Sequence, residues 1–444
     1  MQENLSFSDR DEFQRKVIAE NIVKLLNPEI DISPLVIDGD WGTGKTEFSI
    51  KLKNLITEQD TESKVIYIDA FKGDHAESPL LLITSAIASI LPEQEKQTFI
   101  QKALPAIRFG MKTAMKAGAG WVLRQETDTM AEEFQEAIKK ASNAAIDGTI
   151  ENILKDHMEA EKNINSLKAC IEELSAAQKT VIIIDELDRC KPNFSTAILE
   201  VIKHIFDTNN VYFILVTNTK QLRASINHIY GYSLDSQKYL DKFIKYTITL
   251  PDTFKSHRDV ACKASVAYWL QLAKQNTKLK IIEDEVGDAV RQLIDQTNLS
   301  LRETHTYARN LTVFQSLEGE RFKPNTFYIY KLIYIIAVFI HCFGEKDLLK
   351  NDLTSESIDK LAALLKIESI PYSFERTSDV TRVAIIFYGI IKDSIQINKR
   401  FAPKNEMEHK EFDALYQRFD EADFLNSSVK KKVNQYIQEM SFIR

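Results

Sequence analysis

Apolar residues at 13, 17, 18, 22, 25 and 26 fall at helical spacing behind Ser8, Asp9 and Asp11, so the chain is predicted to enter its first helix through a polar cap. Pro28 and Pro34 end that helix. The period then changes. Residues 35–38, 65–69, 181–184, 211–216 and 246–250 are short apolar runs rich in β-branched or aromatic residues, the last closed by Pro251, with helical spacing between them. Strands that do not alternate apolar with polar positions are covered on both faces. The pattern predicts an α/β fold, a parallel sheet with helices on both faces.

The stretch between the second and third strands is far too long for an ordinary crossover, so a helical insertion is expected at 92–175. Residues 128–175 are rich in Ala, Glu and Lys with few glycines, which points to long solvent-facing helices that could pair. Beyond Pro251 the strand signal fades, and helical runs follow at 259–276, 284–317, 326–343, 356–366, 379–396 and 407–440. The expected division is a sheet-bearing core at 1–91 and 176–255, the insertion, and an all-α C-terminal domain at 256–444. Residues 327–343 are the most apolar stretch, broken by Lys331 and His341 and shorter than the roughly 20 residues a bilayer span needs. A buried helix is the expectation, a membrane span the alternative.

One turn carries recognisable chemistry. Gly39, Asp40, Trp41, Gly42, Thr43, Gly44, Lys45 and Thr46 spell GxxxxGK[ST] between an expected strand and an expected helix, with Glu47 in that helix's first turn. Glycines there let main-chain N–H groups converge on phosphate oxygens. The helix adds the positive end of its dipole, Lys45 reaches the terminal phosphates, and the Thr46 hydroxyl can ligate Mg²⁺. A lysine and a threonine at these offsets serve no purpose in a plain connecting turn. Trp41 could stack on the base or simply cover the loop.

The run 181–184 ends in Asp185 and Glu186, and strand ends of an open α/β sheet line its ligand crevice. These acids are therefore expected beside the phosphate loop, on a neighbouring strand. Asp185 would hold Mg²⁺ directly or through water, and Glu186 would act as general base toward the attacking water. Arg189 is expected either to pair with Asp188 or to reach phosphates of a neighbouring subunit. Asn218, after the fourth strand, could orient the lytic water or cap the next helix.

The chain has 57 Lys and Arg against 64 Asp and Glu, a net charge of −7, so the field of a general nucleic-acid binder is missing. A local basic patch stays open, but no nucleic-acid motif indicates such a partner. The four cysteines, Cys170, Cys190, Cys262 and Cys342, form no metal-binding or disulfide spacing and fit a reducing, cytoplasmic setting. The first residues contain no apolar stretch of the signal-peptide kind.

Taken in order, GDWGTGKTEF, IDAFKGDHAESPL, VIIIDELDRCKP, VYFILVTNTKQL and YLDKFIKYTITLP resemble the signature blocks of the KAP family of P-loop NTPases, across roughly residues 8–255 without the inserted helices. The resemblance implies a parallel sheet with one strand between those bearing the phosphate loop and the acidic pair. It also marks Lys45 and Thr46 for nucleotide and Mg²⁺, Asp185 and Glu186 as the acidic pair, and Asp188 and Arg189 for the block that follows; ATP is the expected nucleotide, with GTP the alternative. Lys242 falls where the family has a basic residue, a candidate finger. In related NTPases a lid arginine folds onto the nucleotide, and Arg302 or Arg309 would take that place, an exposed arginine being the plain alternative. Bacterial members are often associated with plasmid or phage exclusion, and animal members act as membrane-linked scaffolds.

Two departures stand out. No transmembrane helices interrupt the nucleotide motifs; only 104–123, broken by Arg108, Lys112 and Lys116, could lie on a membrane surface, or else be an ordinary solvated helix. The fourth strand ends in Thr217 and Asn218 rather than an acid. The expected function is Mg²⁺-dependent ATP hydrolysis driving conformational change or assembly, in a homo-oligomer with partner proteins of an anti-phage system. The alternatives are a nucleotide-gated switch or scaffold with little turnover, and a DNA-acting motor.

Overall fold

Strands without a polar face need a helical layer on each side, and the computed structural model of the protein supplies both. It describes residues 5–11, 13–74, 78–116, 150–205, 208–255, 261–317, 322, 326–345, 347–349, 352–370, 380–402, 405–408, 410 and 429–442. The chain divides into two compact units, Met1–Pro251 and Asp252–Arg444.

In the first unit α1 (Lys16–Leu25) precedes β1 (Leu35–Asp38), and α2 (Lys45–Gln59) leads to β2 (Lys64–Asp69). Helices α3 (Ala70–Gly73), α4 (Pro79–Ser89), α5 (Glu93–Lys116) and α6 (Ile150–Ala177) occupy the long connection to β3 (Thr180–Asp185). Then come α7 (Pro192–Ile205), β4 (Val211–Thr217), α8 (Thr219–Tyr230), α9 (Ser236–Leu240) and β5 (Tyr246–Thr249). All five strands are parallel, in the order β2-β3-β4-β1-β5. Strand β4 therefore lies between β1 and β3. The acidic strand is not the immediate neighbour of the loop-bearing strand, and the arrangement that the family resemblance implies is the one found.

Alternate residues of β1, β2, β3 and β4 feed two separate cores, whereas β5 is a mostly exposed edge strand. Val36, Ile182, Ile184, Phe213 and Leu215 pack with residues of α4, α5, α6, α7 and α8 on one face. Leu35, Ile37, Ile183, Ile214 and Val216 pack with α1 and α2 on the other. Ile182, Ile183 and Ile184 are each 0% exposed, which is why this strand reads as an unbroken apolar run.

Two features of this unit differ from the sequence expectation. Helix α1 starts at Lys16, not near Ser8, because Ser6 caps a local turn at Asp9 and the Asp11 carboxylate accepts from the N–H groups of Arg15 and Lys16. The inserted helices are not wholly solvent-facing, since Phe99, Ala103, Leu167 and Ile171 are buried in the sheet's core. The expected insertion lies outside the described residues at 117–149, as do the Arg108, Lys112 and Lys116 side chains on which the membrane-surface alternative rests.

The second unit opens with a feature too short to be read in advance, the antiparallel pair β6 (Thr253–Lys255) and β7 (Ala261–Lys263). It continues with α10 (Ala264–Gln275), α11 (Thr277–Gln296), α12 (Leu301–Leu317), α13 (Tyr328–Phe343), α14 (Ser355–Leu365), α15 (Val380–Ile391) and α16 (Val429–Met440). The expected 284–317 helix is two helices, separated where Asn298 takes a left-handed φ of 53° and Ser300 and Glu303 cap each other's backbone. Of the expected 407–440 helix, residues 411–428 lie outside the described residues. Helix α13, the most apolar segment, is buried all round in the core of this unit. Its Lys331 ammonium sits 2.5 Å from Glu285, which makes a lysine tolerable there. Among the described residues no helix is long and apolar enough to cross a membrane.

Candidate functional site

The ends of β1, β3 and β4 carry Asp38, Asp185 and Thr217, and the polar residues that follow each strand converge. The loop after β1 needs glycine at two points. Gly42 and Gly44 have φ of 80° and 85°, and Gly44 is the residue from which α2 starts. At Gly39 a Cβ would stand 2.8 Å from the Thr43 hydroxyl. The Thr43 hydroxyl donates to the Asp40 carbonyl, and the Lys45 ammonium donates to the carbonyls of Gly39 and Asp40 at 2.5 and 3.1 Å. Burial lowers the pKa of Lys45, against the opposing pull of Asp188, Asp185, Asp38 and Asp40.

The outer residues of the loop are tied to the neighbouring strand ends. Asp40 lies 3.2 Å from the Lys220 ammonium and accepts from the Asn218 amide at 3.3 Å. Asn218 also caps α8, its Oδ1 accepting from the N–H groups of Lys220 and Gln221. The capping reading of Asn218 is the one seen, by its Oδ1, while its Nδ2 faces the loop at Asp40. Trp41 is not part of the core. It is 49% exposed, and its Nε1 donates to Asp188 at 2.5 Å.

Asp185 is 1% exposed. Its carboxylate accepts from the Tyr67 hydroxyl at 2.6 Å, from the Ser49 hydroxyl at 3.5 Å and from the Glu186 N–H at 2.7 Å. Burial raises its pKa, opposed by hydrogen bonds from Tyr67 and Thr46. The phosphate-loop threonine and the last residue of the acidic strand are thus brought together across β4. Tyr67 was invisible as a site residue, although a lone hydroxyl two positions before the acidic end of an apolar strand is a signal that could have marked it.

Glu186 departs from ordinary backbone geometry, with φ 60° and ψ 29° in the left-handed region. Its carboxylate is paired with Arg189 at 2.7 Å and is mostly buried. Burial raises its pKa, with Arg189 pulling the other way and Asp185, Asp69 and Asp188 reinforcing burial. The expected Asp188–Arg189 pair is therefore replaced. Residues Leu187–Arg189 form a 3₁₀ turn, which brings positions 186 and 189 together, while Asp188 turns toward Trp41 and the Thr217 hydroxyl. Cys190, at the end of this turn, has its thiol pushed up to about 12 by burial and then by Asp74 and Asp188, so it is no nucleophile.

Lys242 lies over the Tyr239 ring, 5.7 Å from its centroid, and its carbonyl accepts from Lys203. Arg302 and Arg309 are exposed on α12, in the second unit. Glu47 is held by Lys51 at 2.8 Å and by Arg10 at 2.5 Å; these hydrogen bonds outweigh burial and bring its pKa below the ordinary range. Sequence reasoning also missed Arg15, only 4% exposed, whose guanidinium donates to the carbonyls of Thr43 and Pro251 at 2.8 and 3.0 Å. No motif marks a single arginine at a helix entrance.

The arrangement offers a glycine-bent loop that heads a helix, one ammonium, one hydroxyl and two acids, a set suited to a polyphosphate and a hard divalent cation. Comparison with known proteins agrees. The chain is 22% identical over 263 residues to the phage T7 exclusion protein of Escherichia coli (strain K12), a match covering 56% of this chain and 35% of that one. The chain thus spans about a third of the length of that curated relative. The ORC2 protein of Aeropyrum pernix, solved in ADPNP–ADP complexes, aligns over 96% of this chain and 95% of its own at 13% identity, with a TM-score of 0.32. Residues 15–318, more than half of the chain, match the KAP family P-loop domain, and the protein belongs to the KAP family of P-loop NTPases.

Proposed function

We propose that this protein binds ATP with Mg²⁺ at residues 39–46 and hydrolyses it, using the energy to change shape or assembly, in the exclusion of phages. One observation carries the catalytic part: Thr46 and Ser49 of α2 meet Asp185 across β4, which sets Glu186 at the same end of the sheet as Lys45. Lys45 would leave the loop carbonyls for the β- and γ-phosphates, and the loop N–H groups would hold the rest of the chain of phosphates. Thr46 and Asp185 present hard oxygen donors that fit Mg²⁺, which when bound would offset phosphate charge. Glu186 would accept the proton of the attacking water, and the Asn218 amide, facing the loop through Asp40, would orient that water or the γ-phosphate. Asp40, Trp41, Thr43 and Glu47 are assigned to shaping the loop rather than to chemistry. The biological part rests on likeness to the phage T7 exclusion protein.

Phosphate release by the wild type, Lys45→Ala and Glu186→Gln tests this. Loss of general-base action is expected to cut turnover of Glu186→Gln by about 10²–10⁴. Equal release by all three proteins would remove the hydrolase assignment.

A second reading is favoured by the Glu186–Arg189 pair, which occupies the base from within the chain. On this reading the protein is a nucleotide-gated switch that turns over little until a partner, or another copy, frees Glu186 and supplies a basic finger; Arg189, Lys242 and Arg302 are the candidates. Mass measurement with and without Mg–ATP is expected to show an ATP-dependent change in assembly. An unchanged mass together with steady hydrolysis would sink this reading.

A further inference from the structure

We infer that Tyr67 is a positioning residue that sets which cation the site accepts: its hydroxyl, bound to one oxygen of Asp185, keeps that carboxylate from closing on a cation with both oxygens and so favours Mg²⁺ over Ca²⁺. The inference deepens the Mg–ATP reading of the phosphate loop and rests on it.

Strand pairing puts the hydroxyl there. In the parallel register Tyr67 stands beside Ile183, and Asp69 beside Asp185. Paired residues of neighbouring strands share a face of the sheet, as do residues two apart on one strand, so Tyr67 and Asp185 lie on the same face. It is the face that α2 covers, since Ile183 and Tyr67 pack in one core with Phe48 and Leu52. The Tyr67 hydroxyl donates to Oδ2 of Asp185 at 2.6 Å. Ser49 lies 3.5 Å from the same oxygen but has the Thr46 carbonyl nearer, at 2.9 Å, and is the weaker holder. Oδ1 accepts from the Glu186 N–H at 2.7 Å.

The strand-end acids differ in what holds them. Asp38 accepts from the N–H of Thr219, and Asp69 accepts from the N–H of Lys72, so each is tied to the start of a helix. Asp185 is followed by the short turn at Leu187–Arg189, and a side chain reaching over from the next strand holds it instead. A neutral phenol adds no charge to the site; it fixes the rotation of the carboxylate and takes up Oδ2. Ca²⁺ gathers about six to eight oxygen ligands and readily accepts both oxygens of one carboxylate, whereas Mg²⁺ keeps a tight octahedral shell of water, phosphate and one or two carboxylates. With Oδ2 claimed, a cation is left to meet Asp185 through one oxygen, which suits the smaller ion.

Calorimetry of ATP binding in Mg²⁺, in Ca²⁺ and in EDTA, on the wild type and Tyr67→Phe, tests this. The wild type is expected to bind ATP more tightly with Mg²⁺ than with Ca²⁺. Equal affinities, or no gain from Mg²⁺ over EDTA, overturn the inference without any variant and leave the phosphate loop standing as a nucleotide site. Tyr67→Phe keeps the ring in its core and removes only the hydroxyl. The variant is expected to lose about tenfold with Mg²⁺, the worth of one hydrogen bond to a charged group, to lose nothing in EDTA, and so to narrow the gap between Mg²⁺ and Ca²⁺. A loss of equal size in all three conditions, which a merely structural hydroxyl would give, or a variant that keeps the full preference for Mg²⁺, overturns it. A wild-type protein that binds ATP in none of the three overturns the phosphate-loop reading itself, and this inference with it.

Discussion

Glu186 combines a left-handed backbone, a partly buried carboxylate and an arginine partner, and these have measurable consequences. A general base works deprotonated, so hydrolysis should fall on the acid side at a pH above the ordinary glutamate value of 4.5, because burial raises this group. Arg189 opposes that rise. Removing it in Arg189→Ala should therefore move the acid limb of the pH–rate profile to still higher pH, and a limb that stays in place would show that the pair does not govern the base. At this scale the glycines, Lys45, Thr46 and the two acids were legible because their chemistry demands fixed offsets in one short stretch. The partner of Arg189 was not, since the choice between positions 186 and 188 depends on a 3₁₀ turn that the sequence does not announce. Arg15 and Tyr67 reach the loop and the acid from far along the chain, and no local pattern encodes such distances.

The glycines, Lys45 and Thr46 are positioned by the β1–loop–α2 unit, and its geometry hangs on Gly44. A side chain at φ 85° is strained, so Gly44→Ala should lower stability by about 1–2 kcal/mol while tilting the N–H groups that head α2. Thermal melting and ATP titration together check this, and full affinity with an unchanged melt would contradict the role given to the loop. Strands were easy to read because buried parallel strands are written in Val and Ile without interruption, as β3 shows. Boundaries were harder. Helix α1 is delayed by the Ser6 turn and by Asp11, and the break before α12 rests on Asn298, a left-handed residue other than glycine. Strands β6 and β7 are three residues each, too short for any periodicity.

For the whole molecule, family and sheet order follow from the same few motifs, whereas the second unit gave only its helices and the burial of α13. An all-helical pattern fixes periods, not partners, so residues such as Arg302 acquire no role from sequence. The central claim concerns one ligand on one loop. Thermal unfolding of the wild type and of Lys45→Ala, each with and without Mg–ATP, tests it most directly. With ATP at a hundredfold excess over its Kd the wild type should gain about 2.7 kcal/mol of stability, and the variant close to none. A wild-type melt that saturating Mg–ATP leaves in place, or an equal shift in both proteins, would contradict the account.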